Sequence, residues 1–114
     1  MSNTIKTLTL AAALLPTTAL TAHADKLFSR VASFDVSQNI PTDMDKKSES
    51  SSEIIAATPD GMTLVYSDSP LSGIGMIDIK DPANPKPAGF LKLDGEPTSV
   101  SIVGGKALVG LNTS

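Results

Sequence analysis

Glu53-Ile54-Ile55-Ala56-Ala57-Thr58-Pro59-Asp60-Gly61-Met62-Thr63-Leu64-Val65-Tyr66-Ser67 holds two short apolar runs around a turn. Pro59 presets φ and Gly61 supplies a left-handed residue, so Pro59-Asp60-Gly61 reads as a turn. The runs Glu53–Thr58 and Met62–Ser67 then read as the two strands of a β-hairpin. Further along, Ser99–Val103 and Lys106–Leu111 flank Gly104-Gly105 in the same way. The two hairpins align without a gap. Gly61 falls on Gly105, Leu64 on Leu108, Val65 on Val109, Asp68 on Asn112 and Ser69 on Thr113, a period of 44 residues.

Two more strands lie between the hairpins. Ile74–Ile79 is apolar, with Gly75 inside it as a bulge or a point of close packing. Ala88–Leu93 alternates as a fourth strand. Asp81–Pro87 carries three prolines and reads as a rigid extended turn, in which Asp81 can cap backbone N–H groups two residues on. Asp94-Gly95-Glu96-Pro97 is another turn. Asp78, between Ile77 and Ile79, is expected on the opposite face from both. Upstream, Leu27–Val36 is β-rich, and Ser37–Ser52 lacks apolar periodicity and reads as a long loop. No segment has a helical period. Four strands in about 40–45 residues is the period of a propeller blade. The expected fold is therefore all-β: four-stranded antiparallel blades of an incomplete β-propeller after a signal peptide. A non-repeating sandwich is the alternative.

Two segments carry a family resemblance. Gly75-Met76-Ile77-Asp78-Ile79-Lys80-Asp81-Pro82-Ala83-Asn84-Pro85-Lys86-Pro87 resembles LVIVD-type repeats, an apolar strand with an Asp followed by Asp-Pro-x-x-Pro. Ala57–Tyr66 is similar to the PDG hairpin of YVTN-type propellers. The resemblance covers roughly residues 53–114 and implies seven- or eight-bladed propellers of bacterial secreted proteins, mostly binding scaffolds. Some related secreted proteins are phytase-like esterases or phosphatases. Leu27–Ser52 matches neither pattern. A propeller closes with about 4–8 blades, and the mature chain supplies about two, so the sequence is expected to be an amino-terminal fragment. A small self-contained β domain that dimerises is the other reading.

Residues 1–24 read as an export signal. Lys6 is the positive end, Leu8–Leu15 the apolar core, and Ala22-His23-Ala24 presents small residues for cleavage after Ala24. The apolar run is shorter than the ~20 residues a membrane span needs. The organisation expected is 1–24 signal peptide, 25–52 first strand and long polar loop, and 53–114 the first full blade and the start of the next. The location implied is periplasmic or extracellular. His23 is the sole histidine and would leave with the signal.

Composition narrows the chemistry. The net charge is −3 and there is no basic stripe, so nucleic acid is not an expected partner. No polybasic or amphipathic segment offers a stable membrane anchor. Cysteine is absent, which removes disulfides, thiolate metal sites and Cys nucleophiles. Gly73-Ile74-Gly75 is not a dinucleotide loop, because Asp78 stands at the third glycine position. No nucleophile elbow is present.

The metal candidates are Asp43 and Asp45 in the long loop and Asp68 at a strand end. Lys46, Lys47 and Ser48 follow the first two, so an EF-hand loop fails and a solvated loop is expected. Calcium is the one cofactor considered. Two functions remain. The first is a secreted, non-catalytic scaffold that recognises a protein, glycan or small molecule. The second is the amino-terminal part of an exported metal-dependent phosphoesterase with its catalytic residues downstream.

Overall fold

The computed structural model describes residues 27–114. The signal segment 1–24, with its cleavage point at Ala24, lies outside the described residues. A compact unit spans Val31–Ser114. It contains six strands, β1 Ile55–Ala57, β2 Thr63–Asp68, β3 Gly73–Asp78, β4 Lys86–Lys92, β5 Glu96–Val103 and β6 Lys106–Asn112. The first four form one antiparallel sheet in chain order, and β5 and β6 form a separate antiparallel pair. The protein is all-β, with the four strands between Glu53 and Leu93 joined as expected.

Residues directly opposite in an antiparallel pair share a face. Ala56, Val65 and Met76 pair across β1, β2 and β3 and so lie on one face of the sheet. Tyr66 and Gly75, with Ile55 and Phe90 as their outer partners, lie on the other. The first face packs on the β5–β6 hairpin. Buried Val65, Ile74 and Val100 form the core there, with Ala56, Met76, Ile102 and Val109 against them. On the second face, Asn39 of the segment before β1 reaches the hydroxyl of Tyr66.

That segment departs from expectation. Leu27–Val36 forms no strand. Val36–Asn39 is a short 3-10 helix, capped by the Asp35 carboxylate, which accepts from the Ser37 N–H at 3.0 Å. A local side-chain bond of this kind competes with a ladder, and none of the six strands pairs with the segment. The long loop is not simply solvated either. Asn39 and Ile40 are buried, and the Asn39 amide nitrogen donates to the Tyr66 hydroxyl and to the Met76 carbonyl, both at 2.9 Å.

The proline segment is also shorter as a turn than expected. Lys86 and Pro87 belong to β4. Pro87 is tolerated because β4 is an edge strand with a bulge opposite Met76 and Ile77. Glu96 and Pro97 likewise join β5. Asp81 accepts from the Ala83 N–H at 3.2 Å, the turn geometry its position predicts.

The two hairpins agree in register and differ in facing. A 44-residue shift carries Ala56↔Val65 onto Val100↔Val109. Yet all four residues face the same core, so like faces would meet. Modules stacked by repetition meet through opposite faces. Moving the first strand by 45 positions and the second by 43 keeps the pairing, Ile55↔Tyr66 onto Val100↔Val109, and exchanges the face. The difference is taken up at the turns. The first hairpin closes at Thr58 and Thr63, with the Thr58 N–H donating to the Thr63 carbonyl at 2.9 Å. The second closes two residues tighter, at Val103↔Lys106. The left-handed residues, Gly61 at φ 71° and Gly104 at φ 59°, also stand 43 apart.

Candidate functional site

A groove of about 450 Å³ opens where the tips of the two hairpins diverge. Thr58, Thr63, Val65 and Met76 line it from the sheet, and Ile102 and Ala107 from the hairpin. Its floor is the continuation of the core and is therefore apolar. Its volume lies in the range of small-molecule sites, which run from about 300 to 1,000 Å³.

The turn at its rim is closed on itself. The Gly61 N–H donates to the Thr58 carbonyl at 2.8 Å. The Asp60 carboxylate accepts from the Thr58 hydroxyl at 2.6 Å and from the Met62 N–H at 3.0 Å. These bonds favour the ionised carboxylate and hold its pKa below the ordinary aspartate value, the Thr58 hydroxyl contributing most. Asp60 is thus a turn-forming residue as well as a rim charge.

Asp68 lies at the opposite end of β2 and is fully buried. Its carboxylate accepts from the Ser50 hydroxyl at 2.6 Å and from the Leu71 N–H at 3.1 Å. One oxygen ties the long loop to the sheet, and the other closes the β2–β3 turn. Beside it the Ser69 hydroxyl donates to Glu53 at 2.6 Å. Asp43 and Asp45 are exposed. Asp45 accepts from the Lys47 N–H at 2.9 Å, which organises its own turn. Among the described residues, no three His, Cys, Asp or Glu side chains gather into a group able to hold a metal ion. The three aspartates proposed from sequence are not brought together.

Tyr66 was not singled out by sequence, yet it organises this half of the molecule. It is fully buried, and its ring lies over Gly75, where an added Cβ would fall 2.2 Å from the ring. Burial raises the phenol pKa, the Asn39 bond opposes that shift, and Asp68 adds to it. The Asn39 side-chain oxygen is buried with no partner among the described residues. The pairing of Tyr66 with Asn39 spans 27 positions, so no local pattern could have announced it.

No helix among the described residues is long and apolar enough to cross a membrane. Compared with known proteins, the chain matches no family model, no curated protein and no solved structure.

Proposed function

We propose that this chain is the leading part of an exported β-propeller of the LVIVD/YVTN type and serves as a non-catalytic binding scaffold. One observation carries the reading. A four-stranded antiparallel module is followed by a second antiparallel hairpin that packs against one of its faces. That is the arrangement by which radially repeated sheets bury one another. The groove between the turn tips is the seat such a scaffold offers a ligand, with an apolar floor and polar rim. Of the aspartates considered as metal candidates, Asp68 pins a loop and Asp45 shapes a turn.

The test uses the gene product expressed with its native leader. The exported protein should begin at Asp25, read by amino-terminal sequencing. Calcium should leave its melting temperature unchanged, and a generic phosphomonoester should not be hydrolysed with calcium present. Calcium-dependent hydrolysis would overturn the scaffold reading in favour of the esterase. Retention of residues 1–24 on the exported protein would overturn the signal.

A further inference from the structure

The chain holds two Asp-Gly pairs, Asp60-Gly61 and Asp94-Gly95, each in a turn. Such a pair can rearrange without an enzyme. The glycine nitrogen attacks the aspartate Cγ, water leaves, and a succinimide ring closes. Glycine permits the approach because it has no Cβ. Two things oppose it: hydrogen bonds that hold the carboxylate ionised and in place, and a glycine N–H already engaged as a donor. Both are present at the first pair. The Asp60 carboxylate accepts from the Thr58 hydroxyl at 2.6 Å and from the Met62 N–H at 3.0 Å, and these bonds favour its ionised form, a poor electrophile. The Gly61 N–H donates to the Thr58 carbonyl at 2.8 Å. Neither is present at the second pair. Asp94 is exposed. Among the described residues its carboxylate accepts no hydrogen bond, and the Gly95 N–H donates none. The sequence explains the contrast. Glu96, two residues on as Met62 is from Asp60, is paired with Asn112 in the β5–β6 ladder. Pro97, three residues on, has no N–H to offer. The glycine is itself required, since a Cβ at Gly95 would fall 2.5 Å from the Asn112 carbonyl oxygen.

We propose that Asp94-Gly95 is a site of spontaneous isoaspartate formation, and that Asp60-Gly61, the same dipeptide, is protected by its turn. The Gly95 nitrogen forms a bond to Asp94 Cγ and gives up its proton, and the carboxyl hydroxyl leaves with a proton as water. A water molecule then opens the ring. Attack at the former backbone carbonyl breaks that carbon's bond to nitrogen, so the chain runs on through Cβ and Cγ and an α-carboxylate is freed. Nothing is oxidised or reduced. The new link is one methylene longer, and it lies between β4 and β5, the joint from the sheet to the hairpin.

The experiment incubates the gene product, exported with its native leader, at mildly alkaline pH, with and without urea. Trypsin places the two sites on separate peptides, residues 48–80 and 93–106. Isoaspartate in each is read by methyl transfer from S-adenosylmethionine with an isoaspartyl methyltransferase, and placed by electron-transfer fragmentation. In the folded protein the 93–106 peptide should gain isoaspartate several-fold faster than the 48–80 peptide. In urea the two rates should converge, because the turns are gone and the dipeptide is the same. Asp94→Glu keeps the charge but cannot close the five-membered ring, so it should abolish the signal on 93–106 with the Tyr66 absorbance spectrum unchanged. Equal rates in the folded protein, a faster rate at Asp60, or no isoaspartate at Asp94 over a time in which the unfolded chain converts would overturn the inference. So would a difference that persists in urea, since the turns would then not set the rate.

Discussion

Gly75 and Tyr66 form one unit, since each fits only because of the other. Tyr66 is the sole tyrosine of a chain without tryptophan, so its spectrum reports one site. Gly75→Ala would place a methyl inside the ring, and overpacking of this kind costs about 1–3 kcal/mol. We expect the upper end of that range, because backbone holds both partners. The loss should shrink when Tyr66→Leu is added, and urea titrations of the two single variants and the double variant would measure the coupling. Tyr66 also sets an alkaline limit. Its folded pKa is raised, mainly by burial. The stability tied to the neutral phenol is present below the ordinary tyrosine pKa of about 10 and is lost as pH rises through the folded value. Ultraviolet titration should therefore show a delayed phenolate that appears together with unfolding. A free titration at the ordinary value would contradict the buried placement. Sequence reading marked Gly75 as a bulge or a close-packing point, and it is the latter. The bulge is a neighbouring feature, set by an extra residue in β4.

At the scale of elements, what was legible was what is local. Each strand after Glu53 carries its own alternation and its own turn residues, and those strands stand within a few positions of expectation. The one strand that failed, Leu27–Val36, has β-prone residues but no neighbour to pair with. Propensity without a partner does not make a ladder. Facing was not legible, because a change of one residue in register exchanges the two sides of a strand. The β5–β6 turn gives a direct test. Gly104 sits at φ 59° with nothing within 4 Å of an added Cβ. Gly104→Val therefore isolates backbone strain, about 1–2 kcal/mol, and Gly104→Asn should cost distinctly less. Thermal melts of the pair would show the order. The turns also set an acid limit. Asp35, Asp60 and Asp81 each accept side-chain and backbone hydrogen bonds that depress the folded pKa. Their contribution is present above the ordinary aspartate pKa and is lost as pH falls through the lowered values. Asp60→Asn and Asp81→Asn together should flatten the acid limb of a stability–pH curve.

At the scale of the whole molecule, the question is whether sheet and hairpin fold as one. A two-stranded hairpin is marginal in water by itself, and within the compact unit β5–β6 is held by the face of the sheet and by the Ser69 hydroxyl, which donates to the Pro97 carbonyl at 3.2 Å. The candidate groove has the same origin: it exists only where the two modules part, so its lining from Thr58 to Ala107 could not be gathered from any one stretch of sequence. Val100 is the residue that joins the modules, buried between Val65 and Ile74. Val100→Ala removes two methyl groups from that contact and should cost about 2 kcal/mol once the residual cavity is included. The informative reading is where the loss is felt. If the modules are one cooperative unit, the urea midpoint seen at Tyr66 in β2 and the exchange protection of the Leu108 amide in β6 fall together. If the hairpin is an appendage, Leu108 loses protection while the Tyr66 midpoint stays where it was. We expect the joint fall, because the face that Val100 covers also carries Val65 and Met76, the immediate neighbours of Tyr66 and Gly75 in their strands. Uncovering that face returns the apolar side of the sheet to water, and the ring on its other side is held by the same strands.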